Sequence, residues 1–119
     1  DWTPASGYRA GQEVLDRGAS AVFVANDHMA LGLLLALAEG GASVPGDVSV
    51  VGFDDIPEAP SLIPPLTTVK QDFRAVGRRA IEILGAAIAG AAPGGGPART
   101  IPPTLVERRS AAARGRSST

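Results

Sequence analysis

Cysteine is absent from the 119 residues, which excludes disulfide bridges and thiolate chemistry within the chain. Histidine occurs once, at His28. It has no acidic or thiol partner at metal-ligand spacing and no serine nucleophile placed near it, so neither a metal site nor a catalytic triad can be built around it. The phosphate loop, the dinucleotide fingerprint, the nucleophile elbow and the HExxH pattern are all missing. An excess of one charge is missing too. Eleven basic and twelve acidic residues leave a net charge of −1 and a pI near 5.7, so the chain presents no broad field to nucleic acid or to a membrane surface. Such basic character as there is gathers at the end, in Arg108, Arg109, Arg114 and Arg116. The longest apolar stretch, residues 29–38, falls short of the ~20 residues a membrane span needs. No secretion-signal pattern is visible.

What is present is one domain's worth of chain with two short apolar runs of the same design. The first is residues 21–25, ending on Asn26-Asp27. The second is residues 48–53, ending on Asp54-Asp55 ahead of Ile56-Pro57. Both are too short for a helix and rich in valine. The second reads as a strand buried on both faces, as strands of parallel sheets are. Ligands of open α/β sheets sit at the carboxyl ends of strands, and both runs end there in carboxylate or amide side chains.

Helical segments alternate with these runs. Thr3-Pro4 has the form of a helix start and Gly18 that of a helix stop. Gly7, Ala10 and Gly11 give this helix small residues suited to close packing on a sheet. Asn26 or Asp27 caps a second helix over residues 28–39. Met29, Leu33 and Leu37 face the sheet in this reading, while Leu31, Leu34, Leu35 and Ala38 spread round the other side. A helix apolar all round is buried all round, and a second copy of the chain is the simplest cover for the second face. After the proline-laden loop 56–65 comes a short strand, 66–69, and then a third helix, 73–89. Phe73, Val76, Ala80, Leu84 and Ala87 form its apolar face. Residues 90–98 read as a Gly/Pro linker. Residues 101–109 can hold a last strand, and 110–119 read as a disordered tail. The fold class is therefore α/β, a three-layer, mainly parallel sheet flanked by helices.

A carboxylate accepts hydrogen bonds, whereas an amide both donates and accepts. Asn26 beside Asp54 thus suits adjacent hydroxyls of a sugar or polyol. Gln71 would add a second amide, and Trp2 would offer a ring to a sugar's C–H face. Blander readings stand beside each of these. Asn26 or Asp27 serves as a helix cap, and Asp54 and Asp55 cap a loop before Pro57. Trp2 is packing, and His28 and Lys70 are solvated surface. A phospho-acceptor domain using Asp27, Asp54 or Asp55 with Lys70 fits poorly, because its acid pair belongs on an early strand.

Three blocks carry a resemblance to a known family. They are Phe23-Val24-Ala25-Asn26-Asp27-His28-Met29-Ala30-Leu31-Gly32, then residues 44–55 (VPGDVSVVGFDD), then residues 64–72 (PPLTTVKQD), with Asp1-Trp2 and Ser6-Gly7-Tyr8 ahead of them. Together they resemble the lactose-repressor/galactose-repressor (LacI/GalR) family from residue 1 to about 109. His28 stands where that family commonly carries glutamine. The resemblance implies a partial second lobe of a periplasmic-binding-protein-like fold, with residues 73–90 forming a helix that belongs to an absent first lobe. It implies the effector-sensing part of a sugar-responsive transcriptional regulator, not an enzyme, cytoplasmic, with no cofactor and no metal. In that pattern Trp2, Asn26, Asp54 and Gln71 bind the effector. Leu31, Leu35, Ala59, Ser61 and Leu62 form a homodimer interface, and operator DNA is contacted only through an absent amino-terminal helix-turn-helix. A solute-binding protein of a sugar transporter, sharing the fold, is the alternative.

Overall fold

The computed structural model describes residues 1–90 and 100–113. The chain divides into two compact units, Asp1–Lys70 with the chain from Leu105 onward, and Gln71–Thr104.

The first unit opens with helix α1, Pro4–Arg17. Thr3 caps it by accepting from the Ser6 N–H, and Gly18 closes it in the left-handed region at φ 63°. Strand β1, Ala21–Phe23, follows, and then helix α2, Asp27–Glu39. Strand β2 is Ser49–Asp54, a 3-10 turn spans Ala59–Ser61, and strand β3 is Thr67–Lys70. The last strand, β4, is Thr104–Val106. Strand order is β1-β2-β3-β4, and the β1–β2 and β2–β3 pairs are parallel. This is the expected α/β fold with a mainly parallel sheet flanked by helices.

The core lies between α2 and the sheet. Leu33 and Leu37 of α2 meet Val24, Val50 and Leu66 there, and all five are buried. Each such side chain contributes roughly 1.5–3 kcal/mol of hydrophobic stabilisation. Leu34 joins this core, although the helical pattern puts it on the far side of α2. Leu35 and Ala38 do stay outside, and Leu31 is half-buried.

The small residues of α1 pack on α2 rather than on the sheet. A Cβ at Gly7 would lie 1.9 Å from the Met29 carbonyl oxygen, and one at Gly32 would lie 1.8 Å from that of Pro4. Two helix backbones in van der Waals contact leave no room for a side chain, so glycine is required on both sides.

Strand β2 is not buried on both faces. Val50 and Gly52 are buried, while Val51 and Phe53 between them are only half-buried. The alternation is that of a strand with one covered face. Phe53 meets Phe23 of β1 edge to face, with ring centres 6.5 Å apart, and Phe23 remains 65% exposed.

Residues 110–113 belong to the fold and do not start a disordered tail. Ser110 is fully buried. Its Oγ donates to the Val50 carbonyl at 2.6 Å and accepts from the Thr67 N–H at 2.8 Å. Its carbonyl accepts from the Val50 N–H at 2.7 Å. The segment thus wedges between the starts of β2 and β3 and satisfies backbone groups that the ladder leaves open there. The remainder of the expected tail, residues 114–119, lies outside the described residues.

The second unit holds helix α3, Phe73–Ile88, capped by the Asp72 carboxylate, which accepts from the Ala75 N–H. The expected apolar face is present. None of the helix's residues is buried, and Phe73, Ile81, Leu84 and Ile88 are each more than half exposed. Most of the expected Gly/Pro linker, residues 91–98, lies outside the described residues.

Candidate functional site

Register brings Asn26 and Asp54 to one edge of the sheet. Phe23 pairs with Val51 across the β1–β2 ladder. Asn26 is three residues past Phe23, and Asp54 is three past Val51. The Val24 N–H bonds the Val51 carbonyl at 2.8 Å and completes that last pair, Phe23 with Val51. Both residues therefore lie at the carboxyl ends of adjacent parallel strands, and both are half-buried.

Asn26, not Asp27, is the cap of α2. Its Oδ1 accepts from the Met29 N–H at 2.8 Å. Its Nδ2 donates to the Trp2 carbonyl at 3.3 Å, which ties the start of the chain to this edge. The amide carries a second N–H beyond that bond. The Trp2 ring is free to serve as a contact surface, since the residue is 68% exposed. Gln71 is the first residue of the second unit, directly after β3, and is half-buried.

Asp27 turns inward instead. It is fully buried. Its Oδ1 accepts from Thr68 Oγ1 at 2.7 Å and its Oδ2 from the Ile56 N–H at 3.0 Å. Its place in the first turn of α2 adds the favourable field of the helix amino terminus. A Cβ at position 52 would lie 2.1 Å from Asp27 Oδ1, so Gly52 is what admits the carboxylate to the sheet. Asp27 thus fastens α2 to the middle of β3 and to the loop after β2, a structural role rather than a ligand role.

Asp54 and Asp55 adopt φ values of 111° and 56°, in the region that favours glycine. Such conformations cost of order 1–3 kcal/mol each and persist where the surroundings impose them. Asp55 is held by Arg108, whose Nη2 donates to Oδ1 at 2.7 Å, and Lys70 Nζ lies 3.7 Å from Oδ2. Lys70 is 60% exposed at its side chain, so the solvated reading of it holds with that one contact added. His28 is exposed, as expected.

Among the residues expected at a dimer interface, Leu35 is 53% exposed, Ser61 is exposed, and Leu31 and Leu62 are half-buried. Ala59 departs from the set. It is the first residue of the 3-10 turn and is fully buried in the core, so its side chain offers no surface to a partner.

A concavity of about 660 Å³ opens at the opposite edge of the sheet, by the amino ends of β1 and β2. Ser20, Pro45, Asp47, Ser49 and Ala112 line it. It contains none of the residues singled out above. No group of three or more potential metal ligands occurs among the described residues, and no described helix is long and apolar enough to cross a membrane.

Two contacts that shape the site edge escaped the sequence reading, the burial of Asp27 against Thr68 and Ile56 and the pairing of Arg108 with Asp55. A glycine inside a valine-rich strand was the available signal for the first, because it marks a close approach by another group. Nothing local to Arg108 announces its partner.

Comparison with known proteins follows the same lines. The model of the periplasmic binding protein-like domain matches residues 2–111. The lactose operon repressor of Escherichia coli (strain K12) is 41% identical over 111 residues, which is 92% of this chain and 30% of that protein. The chain therefore spans about a third of the length of that relative. Among solved structures, the lac repressor dimer bound to operator and the anti-inducer ONPF superposes with a TM-score of 0.85 at 41% identity, covering 95% of this chain and 40% of that one. A LacI-family transcriptional regulator from Enterococcus faecium with bound ribose gives a TM-score of 0.76 at 32% identity, covering 92% and 41%.

Proposed function

The chain belongs to the periplasmic binding protein-like domain family, among its LacI-type members, and from that premise we propose that it is the effector-sensing part of a sugar-responsive transcriptional regulator. The observation that supports the reading is the register of β1 and β2, under which Asn26 and Asp54 follow the carboxyl ends of adjacent parallel strands, where ligands of such sheets sit. The second N–H of Asn26 donates to a sugar hydroxyl, and Asp54 accepts from the same or the next hydroxyl. Trp2 packs its ring on the sugar's apolar face, and Gln71 supplies a further amide. Ribose bound to the Enterococcus relative supports this ligand class.

The work of the site is binding, not catalysis. Effector that prefers one arrangement of the lobes shifts the population toward it, by no more than its differential affinity for the two arrangements. The regulator acts as a homodimer paired through Leu31 and Leu35 of α2 and through Ser61 and Leu62 at the end of the 3-10 turn. The change in dimer geometry alters how helix-turn-helix heads outside this chain meet operator DNA. The protein works in the cytoplasm, where its DNA is.

The test is Asp54→Ala in the full-length regulator. Effector response is lost while operator affinity stays within about two-fold of wild type, since the substitution removes a ligand contact and leaves the DNA-binding heads alone. Unchanged induction in that variant would remove Asp54 from the site.

A further inference from the structure

The turn that follows Asp54 is held at two adjacent residues, Ile56 and Asp55, by groups remote in sequence. At the first, the buried Asp27 carboxylate takes the Ile56 N–H at 3.0 Å. At the second, Asp55 receives Arg108 Nη2 at 2.7 Å. Arg108 is itself immobilised. Its Nη1 donates to the Leu66 carbonyl at 2.8 Å, and its backbone N–H donates to Thr67 Oγ1 at 2.9 Å. The two side chains of the pair are only 16% and 11% exposed, so this is not a solvated surface contact. Asp55 and its neighbour Asp54, just ahead of the second anchor, are two consecutive non-glycine residues at positive φ. Left to itself, such a dipeptide relaxes to negative φ and swings both carboxylates away from their present directions.

The geometry points to Arg108 as a positioning residue for the effector site: acting through Asp55, it holds the Asp54 turn in its strained form and so aims the Asp54 carboxylate. This rests on the reading of Asp54 as an effector ligand. It also gives the segment after β4 a part in sensing. That segment is tied to the start of β3 by Arg108 and wedged beside β2 by Ser110, so displacing it disturbs the ligand edge without touching the ligand.

The experiment is a calorimetric cycle on the full-length protein, titrated with D-ribose, D-galactose and D-glucose and continued with the sugar that wild type binds. Arg108→Met and Asp55→Asn each weaken binding by roughly 5- to 30-fold, the size of one or two misdirected hydrogen bonds. Arg108→Lys recovers part of the loss, because it keeps the charge without the two-pronged geometry. In an Asp54→Asn background, Arg108→Met adds less than about two-fold, since there is no longer a carboxylate to aim. A crystal structure of Arg108→Met shows residues 54 and 55 relaxed toward negative φ. Where Arg108→Met does not fold, Asp55→Asn takes its place in the cycle and the crystal. The inference is overturned if the folded variant binds as wild type while Asp54→Asn does not, or if its loss is the same in both backgrounds. Failure of the sugar reading itself shows differently, as wild-type affinity in Asp54→Asn or as no sugar bound by wild type.

Discussion

Thr68 Oγ1 donates to Asp27 Oδ1 at 2.7 Å across 41 positions of sequence, and both residues are fully buried. This bond joins the first residue of α2 to the middle of β3. Thr68→Val keeps the shape and removes the hydroxyl. A buried carboxylate then loses one of the two donors described above, which costs roughly 1.5–3 kcal/mol because the bond is to a charged group. Urea denaturation of the full-length protein measures it. A loss under about 0.5 kcal/mol, the scale of a neutral surface change, would mean that the bond is not formed in solution.

Asn26 combines two tasks that separate by substitution. Its Oδ1 caps α2 by accepting from the Met29 N–H, while its Nδ2 is the donor assigned to a sugar hydroxyl. Asn26→Asp keeps the cap and removes the donor, together with its long, exposed bond to the Trp2 carbonyl. Its stability stays near wild type and its effector affinity falls by about ten-fold or more, the worth of one hydrogen bond and the unmatched carboxylate. Asn26→Ala loses the cap as well, and costs a further ~0.5–2 kcal/mol of stability. Thermal unfolding and calorimetry on the same two proteins check the split. Equal affinity in wild type and Asn26→Asp would leave the residue with capping alone.

The Ser43–Asp47 turn predicts a pH dependence. The Ser43 hydroxyl donates to Asp47 Oδ2 at 2.7 Å and the Ser43 N–H donates at 2.8 Å. The hydroxyl first and the amide second hold the Asp47 carboxyl below the usual carboxylate range. A carboxyl depressed on folding stabilises the fold above its unfolded pKa and loses that contribution as pH falls through its folded pKa. Asp47→Asn is therefore expected to flatten the acid limb of the stability curve and to leave stability above pH 6 less favourable than wild type. A carboxyl-detected NMR titration that placed Asp47 at or above the usual range would overturn the assignment.

Leu35 tests the proposed pairing surface. It projects from α2 at 53% exposure, with half-buried Leu31 on the same helix. Leu35→Asp puts a charge where a partner's apolar face would cover it, which a dimer does not tolerate unpaired. Sedimentation of the full-length variant is expected to show monomer at concentrations where wild type is dimeric, with unfolding cooperativity retained. An unchanged dimer would move the interface elsewhere.

The parts of this molecule that were legible in the sequence are those whose partners are close in the chain. Thr3 with Ser6, Asn26 with Met29 and the left-handed stop at Gly18 are local bonds, and residue type announces them. The valine-rich runs gave the strands, and their terminal amide and carboxylate gave the edge where a ligand would sit. Assigning which acid goes where needed the tertiary structure. Asn26, Asp27, Asp54 and Asp55 are alike as polar strand endings, yet one caps, one is buried against Thr68, one sits in a strained turn and one pairs with Arg108. Ser110 was placed at the start of a disordered tail, and Arg108 was noted only as one of the basic residues near the end, because their partners, Val50 and Asp55, lie 60 and 53 positions away. Sequence by itself determined the alternation of strand and helix and the chemistry collected at one sheet edge, because apolar periodicity and capping act over a few residues. Only the tertiary structure decided which carboxylate turns into the interior and which pairs with Arg108, because that choice is made by hydrogen-bond donors that folding alone brings within reach.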